Sequence, residues 1–366
     1  MSAEGIEKFV KPELKSFGGY AASKAPETLK GKIAVPVEKI IKLDANENPY
    51  GCSPRVKKAL ADFSGIHIYP DSGQQELRKY LQEYTGVPME HIVASAGSDQ
   101  LIDLLMRLFI EKGDEVINCI PTFAMFQFFI NLVNGNTVNV LRDESFMVNV
   151  EAVKKAVTPR TKLILLATPN NPTGTIMPKK DILEVLEIGL PTLVDEAYFE
   201  FTGETVAPLV GKYKNLMVLR TFSKWAGLAG LRIGYGMFPV DIADYLLKIK
   251  EPYCVNVAAQ LAAIESVKDR AYLMDKVRII SSERDRLFNL LQKTGWLKPY
   301  PSKANFILCA VLKGKAKDIQ QKLEENGILV RYFDTPLLKD SLRISVGKPE
   351  ENDALIQTLN QIGEGL

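Results

Sequence analysis

In the segment TFSKWAGLAGLRIGYG, residues 221–236, a lysine follows two hydroxyl residues and opens a loop punctuated by glycine. The hydroxyls of Thr221 and Ser223, with the cation of Arg232 further along, suit a phosphate cradle. Lys224 stands at the mouth of that loop. A lysine held in a confined, partly desolvated place can act as a Schiff-base nucleophile; on an open, flexible loop it is an ordinary solvated cation. Two further stretches offer chemistry. ATPNNPTGTIMP, residues 167–178, follows an apolar run, and its prolines, paired asparagines and glycine make a tight turn. LVDEAYFEF, residues 193–201, places Asp195 just past another apolar core. Such a carboxylate is a helix cap or is satisfied locally, or else it pairs with a buried cation.

The elements that must position these residues alternate. Short apolar runs at 91–95, 115–119, 162–167, 192–198, 215–222 and 232–238 read as strands. Amphipathic stretches at 98–111, 123–133, 179–187 and 239–248 read as the helices between them. Uniformly apolar strands separated by helices predict a mainly parallel sheet covered on both faces. Ligands in such folds sit beyond the carboxyl ends of the strands. Asn171, Asp195, Tyr198, Lys224 and Arg232 all fall at or just past the ends of successive strands, so they are expected to converge at one end of one sheet. Beyond about Pro252 the texture changes: 256–292 reads as long helical structure. Strands at 306–310, 328–332 and 342–346, with helices at 315–324 and 351–361, then make a smaller α+β unit.

Composition removes several classes. The 366 residues hold 46 Lys and Arg against 44 Asp and Glu, a net charge of +2 with no basic block, so nucleic-acid binding has no electrostatic footing. Two histidines, His67 and His91, exclude a His-rich metal site, and no metal is expected. Cys52, Cys119, Cys254 and Cys309 never form C-x-x-C; with the mixed-charge opening MSAEGIEKFVKPELK they read as reduced thiols of a cytoplasmic protein. The stretch 116–141 carries no charge, yet Pro121, Gln127, Gly135 and five asparagines would leave amides unsatisfied in a bilayer. It reads as buried strand, turn and buried helix of a soluble chain, with no membrane partner. A nicotinamide-type fold is excluded because GxGxxG after a first strand is missing.

Taken in order, NNPTG, DEAY and SK…R resemble the fold-type-I pyridoxal-phosphate enzymes, specifically the aminotransferases, over roughly residues 20–347. The resemblance implies a seven-stranded, mainly parallel sheet sandwiched by helices in a large domain (49–255), and a smaller α+β domain (31–48 with 256–366). An N-terminal arm covers 1–30. It implies that Lys224 bonds the cofactor aldehyde and then shuttles the proton. Asp195 pairs with the pyridinium nitrogen, while Asn171 and Tyr198 hydrogen-bond the ring oxygen. Gly97 and Ser98 offer backbone N–H groups to the cofactor phosphate at a helix N-terminus, completed by Thr221, Ser223 and Arg232, with Asp99 close by. Phe123 stacks on the ring, where many related enzymes carry tyrosine. Tyr69 of the YPD sequence reaches the neighbouring subunit's cofactor, which makes the expected assembly a homodimer.

LDANENPYGCSP (43–54), YPD (69–71), GLAGLRIGYG (227–236) and LRISVG (342–347) are similar to the histidinol-phosphate aminotransferase branch. That branch implies Arg343 and Arg331 on the substrate phosphate, Asn171 and the arm's Tyr20 nearby, and L-histidinol phosphate and glutamate or 2-oxoglutarate as substrates. A surface or interface ion pair is the other reading of Arg331. An aromatic amino-acid aminotransferase, a threonine-phosphate decarboxylase and a non-catalytic pyridoxal-phosphate-binding regulator are the alternatives.

Overall fold

The computed structural model describes residues 5–15, 17–20, 22–33 and 35–366; residues 1–4, Ser16 and Ala21 of the expected arm, and Ala34, lie outside them. Among the described residues, twelve strands form two sheets. They are β1 (Ile41–Leu43), β2 (Ile92–Ser95), β3 (Glu115–Ile120), β4 (Asn136–Leu141), β5 (Thr161–Ala167), β6 (Thr192–Asp195), β7 (Leu216–Thr221), β8 (Gly234–Met237), β9 (Leu297–Pro299), β10 (Phe306–Val311), β11 (Ile328–Tyr332) and β12 (Ser341–Ser345). The large sheet has the order β2-β8-β7-β6-β5-β3-β4, and β8 alone runs against the other six. β2, β6 and β7 are buried at every position, which is why they begin or centre on short apolar runs.

Three strands are absent from the sequence expectation: the three-residue β1 and β9 of the small sheet, and β4 of the large one. The β4 sequence NTVNVL lies at the sheet edge with only Val140 buried, so its polar residues face solvent and no apolar run marks it. The uncharged stretch 116–141 is therefore strand, helix Ala124–Leu132 and a second strand. No helix of the described residues is long and apolar enough to cross a membrane.

One face of the large sheet is covered by the helices Ser98–Phe109, Ala124–Leu132 and Val240–Ile249, through Leu101, Phe126 and Leu246 among others. Helices Pro54–Asp62, Gln75–Thr85, Val150–Ala156, Lys179–Leu186 and Val257–Lys268 cover the other. The small sheet, β1-β11-β12-β10-β9, packs against helices Ala316–Glu325 and Pro349–Glu364. The long helical stretch breaks at Asp269, between Val257–Lys268 and Arg270–Lys293. Ala259, Ala262, Leu273, Val277 and Ile280 share the large body's core, whereas Leu287 and Leu291 share the small one's. We therefore propose that the two bodies divide inside Arg270–Lys293, between Ile280 and Leu287, and not ahead of residue 256.

A buried ion pair ties the carboxyl ends of β6 and β7 together. Arg220 donates through Nε and Nη2 to Glu196 Oε2 at 3.0 and 2.9 Å, and its guanidinium lies 3.6 Å from the Phe199 ring centroid. The side chains are 3% and 0% exposed. Arg220→Met leaves Glu196 buried and uncompensated and is expected to lower stability by about 3–5 kcal/mol in urea unfolding. The double variant with Glu196→Gln should recover most of that loss; a single variant as stable as the parent would refute the pair's role.

Candidate active site

The carboxyl ends of β5, β6 and β7 open into a cavity of about 390 Å³ between the two sheets. Every expected site residue except Gly97 and Tyr69 lines it. Strand ends deliver Asp195 and Thr221. The turns that follow deliver Asn171, Tyr198, Ser223 and Lys224, and β11 and β12 of the small sheet bring Arg331 and Arg343 from the opposite side.

Lys224 meets the cavity with part of its side chain, and its Nζ donates to the Ala45 carbonyl at 3.0 Å. Burial, with the Arg343 guanidinium nearby, lowers its pKa to about 8. Asp195, 8% exposed, accepts from the Ala197 N–H at 2.9 Å. Burial raises its pKa to about 7, and the neighbouring Asp99 and Glu196 add to the shift. A carboxylate in that state has room for a cation. Tyr198 stacks edge-on against Phe306 with ring centroids 5.1 Å apart, and burial pushes its phenol up to about 12.

An anion cradle closes one end. Helix Ser98–Phe109 has no side-chain cap, so its first N–H groups face outward from Gly97, whose φ of +77° favours glycine. A Cβ on Gly97 would come within 2.6 Å of Arg232 Nη2, so the close approach of that guanidinium needs the glycine too. Arg232 also pairs with Asp99 at 3.0 Å. Thr221 Oγ1 donates to Ser223 Oγ at 2.9 Å beside it. Gly234 of β8 lies against this helix end: a Cβ there would be 2.3 Å from the Ser98 nitrogen. Phe123, at the start of helix Ala124–Leu132, adds an aromatic wall.

The other end is cationic. Arg331 and Arg343 are direct cross-strand partners in the antiparallel β11–β12 ladder. Both guanidinium groups line the cavity and make this end positively charged. Arg343, 7% exposed, donates to Asn171 Oδ1 at 2.6 Å and to the Asp44 carbonyl, while its Nε is buried with no hydrogen-bond partner among the described residues. Burial lowers its pKa. The guanidinium of Arg331 lies 5.8 Å from the Tyr20 ring centroid.

Among the cavity residues without an expected role are Asn46, Asp44 and Glu47. Asn46, left-handed at φ +55° and 1% exposed, donates through Nδ2 to the Tyr198 hydroxyl at 2.8 Å and accepts from Ser345 Oγ at 3.0 Å. Asp44 and Glu47 share Lys42, at 2.9 and 2.8 Å. Their signal was the cluster of asparagines and carboxylates directly after a short apolar run in LDANENP, which resembled the family without naming a function for each residue. Tyr69 is outside the cavity of its own chain, 78% exposed and stacked on Tyr253 at 4.6 Å.

A family model described as aminotransferase class I and II matches residues 38–359. A histidinol-phosphate aminotransferase of Dehalococcoides mccartyi is 56% identical over 359 residues, covering 98% of this chain and 99% of its own length. One from Roseiflexus castenholzii is 46% identical over 366 residues, with 98% of this chain and 99% of that one covered. Among solved structures, histidinol-phosphate aminotransferase from Sinorhizobium meliloti in complex with pyridoxal-5'-phosphate matches with a TM-score of 0.90 at 26% identity, covering 100% of both chains. With a lysine, a carboxylate and an anion cradle converging in a cavity of this fold, and with similarity running almost end to end, the chain belongs to the class I and II aminotransferases.

Proposed function

We propose that the protein transfers an amino group between L-histidinol phosphate and 2-oxoglutarate, a step of histidine biosynthesis, with pyridoxal 5'-phosphate as cofactor. The residues present fit that group. Among the described residues Asp195 is a buried carboxylate with no ion-pair partner, which suits a ring-nitrogen cation, and the uncapped helix end with Arg232, Thr221 and Ser223 suits the phosphate. Bound there, pyridoxal phosphate supplies a carbonyl for the amino group and a ring that accepts the electron pair left when the substrate carbon loses its proton.

The chain's own residues do the rest. Lys224 Nζ, whose proton affinity burial lowers in the empty site, is the base that would take the proton from the substrate carbon. Asp195 holds the proton on the ring nitrogen. Asn171 accepts from Arg343 through Oδ1, which leaves its N–H groups to donate to the ring oxygen. Tyr198 accepts from Asn46, which leaves its own O–H proton for the same oxygen. Phe123 excludes water from one ring face. We assign Tyr69 to the active site of a neighbouring copy in a homodimer; its exposure, together with that of Ile66 and Ile68, supports this. We place the protein in the cytoplasm, in keeping with four free cysteines.

The observation that carries the substrate assignment is the face-to-face placement of Arg331 and Arg343. One carboxylate needs one arginine; a phosphate dianion makes use of two. The test is a half-reaction without oxo acid, followed by absorbance. Histidinol phosphate should convert bound pyridoxal phosphate to its aminated form at far lower concentration than phenylalanine. Arg331→Met should raise the half-saturating histidinol phosphate concentration by about 10–100-fold, the worth of a charge-assisted bond, and leave phenylalanine unchanged. Conversion favouring phenylalanine, or release of carbon dioxide from O-phospho-threonine, would sink the assignment.

A further inference from the structure

The arm crosses the cavity mouth between two fixed points, one on each body. On the large body, Phe17 packs edge-on against Phe128 of helix Ala124–Leu132, with ring centroids 5.1 Å apart. On the small body, Lys24 Nζ donates to both carboxylate oxygens of Glu324, at 2.6 and 2.8 Å, on helix Ala316–Glu325. Glu324 is only 15% exposed and is braced by Gln320 Nε2 at 2.9 Å. Just beyond, Leu29 is buried at 3% exposure and lines, with Lys24, a cavity that Gln321 and Glu324 also line. Between these points Tyr20, Ala22 and Ser23 line the cavity, with the Tyr20 ring beside the Arg331 guanidinium.

We propose that Phe17 and the Lys24–Glu324 pair are positioning residues for the substrate's phosphate end. Neither touches the cavity. They hold the intervening residues so that Tyr20 stands as a preformed wall next to the paired arginines, and the substrate does not have to order the arm when it binds. This rests on the assignment of Arg331 and Arg343 to a substrate phosphate. It places part of the substrate affinity in the arm's anchors and none of the chemistry, because Asp195 lies at the end of β6 and Lys224 in the turn after β7.

The experiment uses the full-length holoenzyme with two readouts, steady-state kinetics and amide hydrogen exchange of residues 17–29. Glu324→Gln, a conservative change, should speed exchange in 17–29 alone. It should raise KM for histidinol phosphate roughly threefold to tenfold, as befits a half-exposed ion pair and the ordering it spares, with kcat unchanged. Phe17→Ala should act in the same direction from the other anchor. The charge-swapped double variant Lys24→Glu with Glu324→Lys should restore both exchange and KM, which a general loss of stability would not do. Unchanged exchange in Glu324→Gln overturns the anchor; faster exchange with unchanged KM overturns the positioning role; a fall in kcat at constant KM does so as well. If the parent enzyme itself fails to convert histidinol phosphate, it is the functional assignment that has failed, and exchange still reads the anchor separately.

Discussion

Lys224→Ala is expected to abolish transamination, lowering kcat by at least about 10⁴-fold, because one side chain supplies both the covalent hold on the cofactor and the proton transfer. The structure explains why this amine is suited to both tasks. Among the described residues its Nζ has one hydrogen-bond acceptor, the Ala45 carbonyl, and burial and the nearby Arg343 lower its pKa from 10.5 to about 8. The neutral form grows as pH rises through that value. Cofactor capture by the parent protein should therefore accelerate up to a plateau above about pH 8, while the variant shows no covalent capture at any pH. The sign of the stability effect provides a control on folding. An unfolded lysine holds its proton up to about pH 10.4, so the cofactor-free folded state bears a buried ammonium below pH 8 and is relieved of it only as pH rises between 8 and 10.4. Alanine removes that burden, and the cofactor-free variant should be at least as stable as the parent at neutral pH. Turnover retained by a well-folded variant would end the present account of the site.

How much of this could be read from residues alone depended on the kind of signal each element sends. β5, β6 and β7 are buried on both faces, so their apolar runs are visible and the chemistry-bearing residues just past them could be located. β4 has one buried residue in six and sends no such signal. The break at Asp269 and the division of Arg270–Lys293 between two cores depend on which side chains meet in space, and helical periodicity is blind to that. Arg331 and Arg343 are expected together on one phosphate, but their direct opposition is a matter of register between β11 and β12, set by the connection 333–340, and pattern alone does not give that register. Asn46 is a third case. Its function lies in a left-handed backbone position and in a bond to Tyr198 across 152 residues of sequence, and local pattern carries neither.

The buried groups behind the strand ends explain why the site holds its shape. Glu196 and Arg220 are the immediate chain neighbours of Asp195 and Thr221, and they lie outside the cavity lining, paired with each other and with Arg220 over the Phe199 ring. A paired charge on one side of each strand end thus fixes the backbone from which the cavity residue on the other side departs. Tyr84 adds to this by donating to Glu200 at 2.9 Å, where burial has raised the carboxyl pKa to about 7.

Asp195→Asn is the second large effect, an expected loss of about 10³-fold in kcat with the covalent hold of Lys224 on the cofactor intact. Asparagine can still meet the ring nitrogen but brings no charge to keep it protonated, and without that proton the ring is a poor electron sink. Stability gives an independent readout, again with a definite sign. In the cofactor-free protein the Asp195 pKa is about 7, against about 3.9 in an unfolded chain, so between these values the folded state binds more protons. Its contribution is unpenalised below about pH 4, worsens as pH rises to 7 and is constant beyond. The amide of the variant does not titrate and is exempt from that decline, so Asp195→Asn should match the parent near pH 4 and exceed it above pH 7 when melting temperatures of the cofactor-free proteins are compared. Adding pyridoxal phosphate should reverse the order, since the ring-nitrogen cation compensates the aspartate and not the amide. Glu200 titrates in the same range, but it is present in both proteins and cancels in the comparison. Parallel melting curves across pH, or full activity in the variant, would remove Asp195 from the role assigned to it.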